Sequence, residues 1–120
     1  MDIPVTLTLR QLRPPTREEM LLAEAARSLG GLPPDAFTLA GLDGVPPPMR
    51  RLMKMAQHMG RPVSAWRDES GQHWLFVGEL LAQRGEAILA VDQYGSAGEL
   101  IGRGVWQQDS RGQWRRSAVD

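Results

Sequence analysis

An α+β fold is what the order of periodicities along the chain predicts. Helical apolar spacing with capping signals fills the stretch up to Gly60. From Pro62 onward, apolar residues recur in short Val-, Ile- and Trp-containing runs separated by glycine turns. Helices segregated from strands suit α+β packing, whereas α/β folds alternate them. Turns of two to five residues between the runs are too short for a parallel crossover, so the strands should form an antiparallel meander. A chain of 120 residues is expected to build one core. The expectation is thus a single domain, 1–120. Its helical half, about 1–60, holds an N-terminal strand and two to three helices, and a curled four- to five-stranded meander occupies about 62–118.

Each element has its own signal. Ile3–Arg10 alternates apolar and polar residues and is rich in β-branched side chains, which predicts a strand with Pro4 at its start or on an edge. Thr16 stands three residues before Glu19, the spacing of a capping box, and good helix formers follow to Leu29 before Gly30-Gly31 stops the helix. Leu21, Leu22, Ala25, Ala26 and Leu29 share one arc and should face the core. Asp35 is placed to cap a short helix over Ala36–Leu42. Pro46-Pro47-Pro48 leads into a helix over Met49–Met59, since proline is tolerated in a first turn. One arc of that helix carries Met49, Leu52, Met53, Met55, Ala56 and Met59. The other carries Arg50, Arg51, Lys54, Gln57 and His58, with Arg61 just past the end.

The predicted meander strands are Val63–Arg67, His73–Ala82, Glu86–Gln93, Leu100–Gln108 and Gln113–Ser117. In the second, Trp74, Phe76 and Leu80 alternate with Leu75, Val77 and Leu81, so it should be central and covered on both faces. The charged last run suits an edge. Gly78, Gly102 and Gly104 inside strands predict bulges or close backbone approach.

Composition narrows the chemistry. With no cysteine, thiolate nucleophiles, disulfides and thiolate metal sites are excluded. No apolar run approaches the roughly 20 residues that span a bilayer, and the start lacks a signal-peptide pattern, so a soluble cytoplasmic protein without membrane contact is expected. The net charge of zero is a cancellation. Segments 1–45, 46–67, 68–99 and 100–120 sum to −2, +5, −5 and +2.

Catalytic motifs are scarce. His58 and His73 form no metal-binding pattern, and no serine sits in a GxSxG elbow. Gly102-Arg103-Gly104 lies within a predicted strand, where it cannot cradle phosphate at a helix N-terminus. Asp68-Glu69 reads as a solvated turn. No catalytic residue, metal ligand or cofactor is assigned, and the balance leans against an enzyme.

The candidate binding residues are Arg50, Arg51, Lys54, Gln57, His58 and Arg61 on and after the basic helix, with Trp114, Arg115 and Arg116 near the end of the chain. Trp114 is expected to be exposed, as an interface anchor. Three readings follow. The first is a non-catalytic regulatory module that engages a protein partner, or a second copy of itself, through a charge-polarised surface. The second is nucleic-acid binding, because a basic helix followed by a hairpin is the element order of winged helix-turn-helix proteins. The third is a small enzyme with a histidine-centred site.

Overall fold

Thr16 and Glu19 begin the first helix as their spacing requires. The Thr16 amide donates to Glu19 Oε1 (2.9 Å) and the Glu19 amide donates to Thr16 Oγ1 (3.2 Å), so two N-terminal donors are satisfied reciprocally. The helix, α1, spans Arg17–Ser28 and buries Leu21, Leu22, Ala25 and Ala26. A computed structural model describes residues 16–28, 32–39, 44–84 and 86–116. The predicted strand Ile3–Arg10, Leu29 and the Gly30-Gly31 stop lie outside these residues.

Of the short helix expected over Ala36–Leu42, residues 40–42 lie outside the described residues and the described part is not helical. Phe37–Leu39 is instead a strand, β1, paired antiparallel with β2 (Val63–Arg67) through Phe37↔Arg67, Thr38↔Trp66 and Leu39↔Ala65. A helix this short lies below the length at which propensity sustains it, and an unpaired β2 edge offers backbone hydrogen bonds in its place.

The second helix, α2, spans Pro47–His58, with Pro46 at the N-cap. Prolines at its first positions lack only N–H groups that would have no helical partner. Its C-terminus closes in a Schellman motif. Gly60 (φ 77°) donates to Gln57 O at 3.0 Å, and Arg61 donates to Ala56 O at 2.8 Å. From there Pro62 leads directly into β2.

Four further strands complete the meander: β3 (His73–Arg84), β4 (Glu86–Tyr94), β5 (Leu100–Gln108) and β6 (Trp114–Arg116). The six strands run β1-β2-β3-β4-β5-β6, each antiparallel to its neighbour. Two of the connecting turns are chemically alike. Asp68-Glu69-Ser70-Gly71-Gln72 and Asp109-Ser110-Arg111-Gly112-Gln113 each direct the leading carboxylate at the closing glutamine amide (2.9 Å in both), with glycine at positive φ before it.

The sheet has a helix on each face. On the first, α1 packs over Trp66, Phe76, Leu89, Val91, Trp106 and Trp114, with Trp74 beside them, so all four tryptophans share this layer. On the second, Met49, Met53 and Ala56 of α2 pack with Val63, Ala65, Leu75 and Val77, flanked by Leu52 and Tyr94. β3 is central, as its double apolar alternation implies.

The strand glycines follow their neighbours. A methyl group on Gly78 would stand 3.2 Å from Leu22 Cδ1, so glycine there lets α1 sit close to the sheet. One on Gly104 would meet the Arg116 guanidinium. Bulges interrupt the ladder between Leu80 and Ala82 and between Gln93 and Tyr94. At the first bulge Leu81, expected in the core, is turned out and 53% exposed.

Thr16→Ala should lower unfolding stability by about 1 kcal/mol. Leu22→Ala, at a fully buried site above Gly78, should cost about 2–5 kcal/mol. Urea denaturation of the two variants measures both.

Candidate functional site

α2 divides into three sectors. Met49, Met53 and Ala56 are buried, while Arg50, Arg51, Lys54, Gln57 and His58 are exposed on the opposite side. None of Arg50, Arg51 and Lys54 forms an ion pair with a described residue. The third sector corrects the apolar arc read from the sequence, because Met55 and Met59 are 58% and 60% exposed. At 100° per residue they share a flank with Pro48 and Leu52. Those two residues lie against Gly98 in the β4–β5 turn, so this flank looks out over β4 and β5.

The acidic segment 68–99 does not cover the basic face. Asp68 accepts hydrogen bonds from Ser70 Oγ (2.7 Å) and the Gln72 amide within its own turn. Glu99 accepts from the Ala97 amide at 3.0 Å, and Asp92 accepts from Arg103 Nε at 2.8 Å. Glu79 alone among the described carboxylates of the segment pairs with a cation of the basic segment, Arg61, at 3.5 Å. Both side chains of that pair are partly exposed, and surface pairs of this kind contribute about 0–1 kcal/mol. Arg67 lies over the Phe37 ring, 5.6 Å from its centroid, a cation–π contact that involves no carboxylate.

Beside α2 lies a groove of about 590 Å³ that the sequence reading did not anticipate. Its floor includes Val77, Ala90 and Val105, which share one face of β3, β4 and β5. The Arg61–Glu79 and Asp92–Arg103 pairs line it. Tyr94 stands near. Burial, and then the charge of Asp92, hold it above the usual tyrosine value of 10. A signal for this groove was present in the sequence. The alternation Ala90-x-Asp92 and Arg103-x-Val105 mixes small apolar and charged residues on one face, as a partly covered sheet requires.

The remaining candidates are elsewhere. Trp114, expected to be exposed, is 7% exposed beneath α1, and its Nε1 lies 3.5 Å from Glu24 Oε1. An indole on a terminal strand still buries its area when a helix passes over that strand. Arg115 pairs with Asp109 at 3.2 Å, and Arg116 donates to Arg103 O at 3.0 Å. β6 stands three strand positions from β3, so these residues do not join the α2 face. The histidines do not converge. His58 is exposed at the end of α2, while His73 is buried at the start of β3 with no hydrogen-bond partner for its Nε2 among the described residues. Among the described residues no three His, Asp or Glu side chains group as a metal site would need.

No protein-family model, no curated protein and no solved structure matches this chain. Function is therefore read from its own surface.

Two turn carboxylates give a pH-dependent test. Asp68 is held below the usual value of 3.8 by the Ser70 hydroxyl and then by backbone amides, and Asp109 by the Gln113 amide and then by others. Both folded values lie below the unfolded one. The stability these ionised groups contribute is therefore complete above pH 3.8 and is lost as pH falls through the folded values. Asp68→Asn should remove its share of that acid dependence, and carbon NMR titration of the carboxyl groups should place both below 3.8.

Proposed function

We propose that this protein is a non-catalytic binding module that engages a protein partner through the solvent face of α2. The observation that supports the reading is the set Arg50, Arg51 and Lys54, exposed together and without carboxylate partners among the described residues. A cationic face left uncompensated by its own fold steers and orients an acidic counterpart. Gln57 and His58 extend the polar surface. Met55 and Met59 add adaptable apolar area at its border, the flexible thioether contact that suits a partner surface.

Nucleic acid is the second reading, supported by the same cations, since Arg and Lys displace counterions from phosphates. Its structural support is narrower than the element order promised. Phe37–Leu39 is a strand where a helix-turn-helix would place its first helix.

Charge reversal separates the readings. In affinity capture with the wild-type chain as bait, an acidic protein should be recovered. The triple variant Arg50→Glu, Arg51→Glu, Lys54→Glu should lose it while keeping the wild-type circular dichroism spectrum. A partner retained by the triple variant would overturn the reading. Retardation of duplex DNA at low salt, with affinity falling steeply as salt rises, would favour nucleic acid.

A further inference from the structure

The open half of the second sheet face has the width of one helix. α2 covers β2, β3 and the Tyr94 end of β4, whereas no described helix lies over the rest of β4 and β5 on that side. Adjacent strands are about 4.8 Å apart and a helix is about 10 Å across, so one helix conceals about two strands. The strip has a small apolar floor, half-buried Ala90 and Val105 with Val77 at the edge where the cover of α2 ends, set among the paired charges of Glu79, Asp92 and Arg103, and the Met55 and Met59 flank of α2 overlooks it.

Charge selects the occupant. The strip's own charges are paired with each other, Arg61 with Glu79 and Arg103 with Asp92. The charge beside it that has no ion-pair partner among the described residues is positive, on α2. A helix lying next to α2 would place its apolar side chains on the floor and bring its outer side chains beside Arg51, the cation of α2 nearest that flank at 100° per residue. We infer that the groove is the seat of an acidic amphipathic helix from a partner protein, laid alongside α2 as a second helix on this face. The inference rests on the partner-binding reading and supplies its recognition chemistry: apolar contact from the groove, electrostatic attraction from the helix face.

The test uses two probes on the full chain. One is a fluorescent peptide of about 18 residues, five helical turns, with leucine on one face and glutamate on the other. The other is polyglutamate. The wild-type chain should bind the leucine–glutamate peptide more tightly than polyglutamate. The double variant Ala90→Gln, Val105→Gln should weaken the peptide about tenfold or more while leaving polyglutamate unchanged. Arg50→Glu, Arg51→Glu, Lys54→Glu should weaken both.

In the wild-type chain, whose folding no substitution affects, NMR titration with the peptide should move the amide resonances of Val77, Ala90 and Val105. If those resonances stay in place, or the double variant binds the peptide as wild type does, the groove assignment is overturned and the basic-face reading stands. A wild-type chain that binds neither probe at low salt overturns both. A concentration-dependent dimer in sedimentation, abolished by the double variant, would give the groove to a second copy and overturn the partner helix.

Discussion

The fold depends on the burial of β3 from both sides. Leu75 and Phe76 are adjacent, point to opposite faces, and are 0% and 1% exposed. A strand in that position requires a helix above and a helix below, and the chain supplies α1 and α2. Gly78, two residues further on, sets how closely α1 approaches, because Leu22 occupies the space its missing side chain leaves. α2 is held from its own end. The Schellman turn at Gly60 passes through Arg61 and Pro62 into β2, and the Gly78 amide donates to Pro62 O at 2.9 Å, tying the helix exit to the central strand. What α2 shows to solvent follows from that anchoring, since a helix fixed by Met49, Met53 and Ala56 has no freedom to turn its cations inward.

Most of the meander was legible in the sequence because period-2 alternation and glycine turns are local signals. Val63–Arg67 and Leu100–Gln108 have the predicted bounds, β3 and β4 run two residues and one residue past theirs, and β6 begins one residue later than predicted, its expected end at Ser117 lying outside the described residues. The errors fall where a distant partner decides. Phe37–Leu39 became a strand because β2 had an edge to pair, a fact recorded some thirty residues away. Trp114 is buried because α1 passes over the last strand, a contact between residues ninety apart in the chain. Met55 and Met59 had the correct helical phase for burial, but α2 sits on a sheet that offers cover on one flank only. The two Asp-x-x-Gly-Gln turns are a short repeated device, visible once their hydrogen bonds are compared.

The zero net charge takes on a physical meaning in the fold. The two oppositely charged segments are neighbours in sequence, yet among the described residues one surface ion pair joins them, Arg61 with Glu79. Short-range geometry explains this. A carboxylate at the start of a tight turn finds backbone amides within a few residues, at a smaller loss of conformational freedom than a distant guanidinium would demand. Asp68 is engaged in that way, Glu99 accepts from the Ala97 amide at the close of its own turn, and Asp92 is engaged across the ladder by Arg103. These three acids are thus occupied, whereas Arg50, Arg51 and Lys54 lie on a helix face that offers no such local acceptor.

The layering also divides the protein's chromophores. All four tryptophans belong to the α1 side of the sheet, whereas Tyr94, the chain's single tyrosine, packs on the α2 side beside the groove. Indole emission therefore reports on the integrity of one layer and is insensitive, to first order, to what happens on the other. Phenol absorbance reads the opposite surface. Two optical signals native to the chain can thus follow its two faces separately, without a label.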